Sequence, residues 1–194
     1  MPVVVNGVKQ LQKAMREVEP ELNKQMAKDI KTAMLIVRDA ARGYLPRQDE
    51  VLSGWGKRTA SAETIKFRAF PAYDYSLARS LIKYNAGTNR RNRSGFAAAF
   101  YVANISAPGA IFETAGRKNR RGASNSESLN PNAGIQFIES AESISQMKGE
   151  GKQKGRLIYR AWFEKSNKVI PAVISAINTV ATDFNKKTQL SKAA

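Results

Sequence analysis

The chain has 194 residues, among them no histidine and no cysteine, and its 32 lysines and arginines against 16 acids leave a formal charge of +16 at pH 7. Histidine triads, cysteine nucleophiles and zinc centres of the usual ligand sets are thereby excluded, and so are the disulfides of a stapled secreted scaffold. What remains is a surface that attracts anions, which points to a binding or structural protein and not to an enzyme, with no cofactor and no metal expected.

At this length one α+β domain over residues 1–194 is the natural expectation, with N-terminal helices in 1–46, a sheet with a basic hairpin tip in 60–116, a long basic loop in 117–132 and a helical part in 133–194. Met1 to Gly7 lacks the basic start and apolar run of a signal peptide, so synthesis in a cytoplasm is expected. Apolar residues at Val8, Leu11, Met15, Val18, Leu22, Met26, Ile30, Met34, Val37, Ala41 and Tyr44 then recur every three or four positions, the repeat of one helical stripe. Pro20 has no amide hydrogen and is tolerated best in a first turn, so the stripe divides into a helix near 7–18 and another near 20–43, stopped by Gly43 and Pro46.

Past this point the period changes. Glu63 to Phe70 reads as a strand ended by Pro71. Asp74 to Tyr84 fits a helix, while Ser80 to Ala86 also fits an antiparallel strand whose partner is Phe96 to Ile105, with Gly87 to Gly95 as the hairpin tip. The run FAAAFYVANI at 96–105 is apolar on both alternating faces, the pattern of an interior strand covered on each side. Ser94 to Phe112 is the longest uncharged stretch, yet its glycines, serines, asparagine and proline argue against a membrane span.

Ala107 to Gly116 reads as a turn, with Ile111 and Phe112 as apolar anchors and Gly116 as a left-handed exit. Gly116 to Asn132, rich in Gly, Ser, Asn and Arg, reads as a long loop. A helix near 133–147 follows, then a shorter loop at Gly149 to Gly155 that lacks the spacing of a phosphate-binding loop. Arg156 to Phe163 is read as a short helix leading into a closing helix near 169–187, marked by Ile170, Val173, Ile174, Ile177, Val180, Ala181 and Phe184, with Pro171 near its start.

Charge is unevenly spread: Arg79 to Arg121 holds nine basic residues against the single acid Glu113. Two similar segments stand out, one with Arg90, Arg91 and Arg93 and one with Arg117, Lys118, Arg120 and Arg121. These seven are the candidate DNA-facing or partner-facing residues, because guanidinium groups donate paired hydrogen bonds to phosphate or carboxylate. Solvated loops that maintain solubility are the plainer account of the same residues, and both readings stand. Neither cluster holds an aromatic side chain, so base stacking is not expected, and any phosphate contact would be sequence-independent and salt-dependent.

Glu113 is read as structural, pairing with a neighbouring arginine, in preference to catalytic. Glu139 and Glu142 would share one face of the helix near 133–147 and in principle hold a metal, but without a third acid or a histidine an exposed helix face accounts for them better. Asp49 and Glu50 are judged the same way.

The order of these parts is more specific than any one of them. The amphipathic start with Gly7, Leu11 and Leu22, the stop at Tyr44-Leu45-Pro46, the segment Leu52-Ser53-Gly54-Trp55, the Ala107-to-Gly116 turn and Arg156 to Trp162 before a final helix resemble the tail-completion or minor tail proteins of the head–tail joining cluster of long-tailed bacteriophages. The resemblance implies an α+β fold in which a small antiparallel sheet packs against long N-terminal helices and a C-terminal helix. It also implies a homo-oligomer, a ring in the virion neck that meets other neck and tail proteins, with no catalytic residues and no cofactor; the basic charge is compatible with non-specific contact with the packaged DNA, and no membrane contact is expected. The alternative reading is a basic protein that binds nucleic acid without regard to sequence.

Overall fold

A computed structural model describes residues 8–51, 55, 71–86, 100–118 and 130–193. In chain order these form α1 (Val8–Val18), α2 (Pro20–Gly43), α3 (Tyr75–Ser80), β1 (Ile82–Ala86), β2 (Phe100–Asn104), α4 (Ala107–Thr114), α5 (Ala133–Ile144), a 3-10 turn (Gly151–Gln153) and α6 (Ile158–Ala193). β1 and β2 pair in a small antiparallel sheet and the rest is mostly helical, the α+β class that the sequence predicts.

The chain divides into two compact units, each drawn from separate segments: Met1–Val37, Tyr84–Tyr101 and Lys165–Ala194 in the first, Arg38–Lys83 and Val102–Glu164 in the second. In the first unit the predicted stripe is the core. Met15 of α1, Met26 and Ile30 of α2 and Ala176 and Val180 of α6 are buried together, with Leu11, Leu22, Met34, Val173, Ile177 and Phe184 packed around them. Phe100 of β2 joins this cluster, so the sheet packs against both the N-terminal and the C-terminal helices. Its ring stacks on Tyr84 of β1 at 6.4 Å. Burying each such side chain stabilises the fold by roughly 1.5–3 kcal/mol. The break between α1 and α2 falls where Pro20 predicts it: the Glu19 amide still bonds back to Met15 O at 2.8 Å, whereas Pro20 has no amide to continue the ladder.

In the second unit Leu45, Tyr73, Ala78, Ile82, Phe112, Ala141, Leu157 and Ala161 are buried, along with Trp55. Trp55 packs on Tyr73 at 4.9 Å and edge-on against Phe137 at 4.8 Å, and its indole N–H donates to Pro71 O at 3.0 Å. The Tyr73 hydroxyl donates to Pro46 O, which satisfies a buried polar tip. The Arg42 guanidinium donates through Nε and Nη2 to Ile82 O, tying the end of α2 to the start of β1.

Several expectations are corrected. Ala107 to Gly116 is not a turn but the helix α4 with its exit: the Ser106 side chain accepts from the Gly109 amide at 3.1 Å, and Pro108 lies in the first turn, where its missing amide costs nothing. Gly109 is required because a side chain there would collide with Ser106 Oγ and the Asn104 amide. Gly116 does take the left-handed exit, at φ +76°. Of the strand expected at 96–105, the described part is β2, Phe100–Asn104, whose residues are half-buried and which pairs with β1 among the described residues; 96–99 lie outside them. Asp74 to Tyr84 satisfies both of its readings in succession, since Asp74 caps α3 through the Leu77 amide and β1 begins at Ile82.

The short helix at 156–163 and the closing helix are one element. α6 runs 36 residues with Pro171 on an exposed interior position, not near its start. A proline there costs about 3 kcal/mol relative to alanine, offset by burial of Val169, Ala176 and Val180 on either side. The candidate strand Glu63 to Phe70, the hairpin tip Gly87 to Gly95 and most of the Gly116-to-Asn132 loop lie outside the described residues. No described helix is long and apolar enough to cross a membrane.

Candidate functional site

The second unit contains a continuous polar network at the start of α6, and its construction begins with a missing cap. The N-cap position of α6 is Leu157, which has no side-chain acceptor, so the first amides of a 36-residue helix lack a local partner. Glu113, on α4, supplies it from 44–46 residues away: its Oε2 accepts from the amides of Leu157 (2.7 Å) and Ile158 (3.0 Å), and its Oε1 from that of Tyr159 (3.0 Å). Glu113 is 6 % exposed. Burial pushes its carboxyl above the usual carboxylate value, while the three amides, which bond more strongly to the ionised form, and the nearby Arg117 charge pull it back. Gly155 passes so close that any side chain there would strike Glu113 Oε1.

Arg156 completes the joint and is 1 % exposed. Its amide donates to Glu113 O at 3.3 Å, and its guanidinium Nη1 donates to the carbonyls of Ala115 (2.6 Å) and Phe112 (3.3 Å), the orphan acceptors at the end of α4. Nη2 pairs with Glu142 Oε2 of α5 at 2.8 Å, and the buried Nε has no partner. Burial lowers the Arg156 pKa and the Glu142 charge opposes this. Ser145 links the network onward, donating from Oγ to Arg156 O at 2.8 Å and accepting from Arg160 Nη1 at 3.0 Å. Arg160 pairs with Glu164 at 2.8 Å and lies over the Tyr44 ring at 4.2 Å, while the Tyr44 hydroxyl donates to Glu164.

Glu113 is therefore structural, as its lone position among basic residues suggests, but its partners are backbone amides instead of an arginine side chain. Glu142, read as an exposed acid with a remote metal alternative, is the counter-ion of a buried arginine. Glu139 is exposed and, among the described residues, no group of three or more potential metal ligands stands together. Arg156 and its role escape sequence reading, since a single arginine before an apolar run carries no mark of burial; the absence of any capping side chain before Ile158 is the signal that a remote cap is needed.

Of the candidate anion-facing residues, Arg90, Arg91, Arg93, Arg120 and Arg121 lie outside the described residues. Arg117 is half-buried, its guanidinium 5.0 Å over the Tyr159 ring, and its buried Nε and Nη2 find no partner. Lys118, next to it, is exposed. A small cavity beside the joint, lined by Pro46, Trp55, Phe112, Phe137, Ala141 and Ile144 among others, measures about 10 Å³, room for a single water at most. Comparison with protein families, with characterised proteins and with solved structures gives no match.

Proposed function

We propose that this chain is a structural virion protein of the bacteriophage neck, one subunit of a ring that completes or terminates the tail and joins it to the DNA-filled head. The resemblance in the order of its parts names the setting. The observation that carries a structural role is the use made of the buried ionisable groups: Glu113 and Arg156, with Glu142 as the counter-ion of Arg156, fix α4, α5 and the start of α6. Bonds of this kind hold the scaffold together, which supports a structural role. With neither histidine nor cysteine in the sequence, the reading is non-enzymatic. A net charge of +16 suits a subunit that lines a DNA passage or mates with acidic rims of neighbouring rings, in a virion assembled in the host cytoplasm.

Electron microscopy of particles made without this chain tests the proposal. Free heads and free tails accumulating side by side support it; normal joined virions contradict it.

The same charge favours a second reading, a protein that binds nucleic acid without regard to sequence through Arg90, Arg91, Arg93, Arg117, Lys118, Arg120 and Arg121. Alanine at Arg90, Arg91, Arg120 and Arg121 then abolishes DNA binding, and unchanged affinity rejects it.

A further inference from the structure

We infer that the Lys148–Gly155 turn and the Gly116–Lys118 exit from α4 form one cationic ridge that lies along the phosphate backbone of double-stranded DNA. The two segments are far apart in sequence and are brought side by side by the Glu113–Arg156 joint. Arg156, which leaves the turn, holds Ala115 O, which begins the exit; Gly155 abuts the Glu113 carboxylate; and Arg117 lies over Tyr159 of the first turn of α6. The turn itself is closed by a pair of backbone bonds, Lys148 N to Gly155 O and Gly155 N to Lys148 O, both 2.9 Å. It is thus a turn with a fixed backbone, with Lys152 and Gln153 exposed and Lys148 and Lys154 partly so.

Together the two segments carry Arg117, Lys118, Lys148, Lys152 and Lys154 against the single acid Glu150. Glu113 is buried among amides and Glu142 is paired with Arg156, so neither offsets this charge at the surface. The choice of partner follows from what the ridge lacks. Residues 148–155 read KGEGKQKG, without one apolar side chain, and 116–118 read GRK. A protein interface is built around an apolar or aromatic anchor, whereas phosphate contacts need only donors. The α6 amides are taken by Glu113, so binding rests on the side chains.

The inference is independent of the neck reading and rests on the nucleic-acid reading, to which it adds the site and the duplex backbone as the ligand. Fluorescence anisotropy of a labelled duplex of arbitrary sequence, with purified full-length protein from about 50 to about 200 mM salt, reads it directly. Replacing Lys148, Lys152 and Lys154 together with alanine weakens binding about tenfold or more at the low end, and the slope of log affinity against log salt falls by about 2 to 3. Alanine at Lys28, Lys31 and Lys186, exposed on α2 and α6, changes affinity less than about twofold. Equal effects of the two triple variants overturn the inference, as does failure of the parent protein to bind duplex while it binds an acidic polypeptide. Lysine acetylation of the unmodified protein gives a readout independent of variant folding: duplex DNA protects Lys118, Lys148, Lys152 and Lys154, and uniform labelling with and without DNA contradicts the ridge. Normal virions without the chain would sink the neck reading and leave these affinities untouched.

Discussion

Glu113 and Arg156 meet through the backbone and not as an ion pair: the Arg156 amide donates to Glu113 O, the Glu113 carboxylate takes the three amides that follow Arg156, and the Arg156 guanidinium returns to the carbonyls flanking Glu113. Each side chain closes the helix end that the other's segment leaves open. The end of α4 and the start of α6 are in this way one structural joint.

Glu113→Ala leaves three buried amides without acceptors and lowers stability by about 3 kcal/mol or more. Glu113→Gln keeps one oxygen and costs less. Gly155→Ala, which drives a methyl group into Glu113 Oε1, destabilises by a comparable route, so its effect shrinks when Glu113 is already alanine. Urea unfolding of the three single variants and the double variant checks this; additive losses would contradict it.

Glu142 is nearly half exposed, at 46 %, but its partner Arg156 is not. Removing the acid strands a buried cation, so Glu142→Ala costs about 3 kcal/mol, far more than an exposed glutamate ordinarily does. In a double-mutant cycle with Arg156→Met the coupling exceeds about 1 kcal/mol. A loss within about 0.5 kcal/mol for Glu142→Ala would show the pair to be unimportant.

Tyr44 gives a pH signature. Burial first, then its hydrogen bond to Glu164 and the Glu164 charge, push its hydroxyl up from 10.0 to about 12, with Arg160 opposing. A pKa raised on folding contributes stability that is complete below the unfolded value and fades as pH climbs through the folded one. Tyr44→Phe therefore costs about 1–2 kcal/mol below pH 10, and the difference from the parent narrows toward pH 12. Thermal unfolding of both proteins across this range, in which lysine titration cancels, measures the difference; a gap independent of pH would contradict the bond to Glu164.

Pro171→Ala restores an amide inside α6 at an exposed position and raises stability by about 1–3 kcal/mol, visible as a higher Tm.

How much of this is legible in the sequence depends on whether the cause is local. α1 and α2 are, because a stripe of apolar residues and one proline fix both their faces and their boundary. So is the apolar face of α6 around Ala176 and Val180. The start of α6 is not, since its cap arrives from α4, and a proline at 171 then looks like a beginning when the helix is already running. Ala107 to Gly116 misleads for a related reason: Pro108 and Gly109 signal a turn in general, and only the Ser106 cap and the close approach of Asn104 make them a helix start. Glu113 is singled out by its isolation among basic residues, yet nothing in the sequence names the amides it binds.

The central claim, a structural subunit of the virion neck, is met most directly by cryo-electron microscopy of intact virions with mass spectrometry of the same particles. The expected result is this chain among the virion proteins and a ring at the head–tail junction whose density takes α2 and α6. Purified virions without the chain, or with it at any other location, would contradict it.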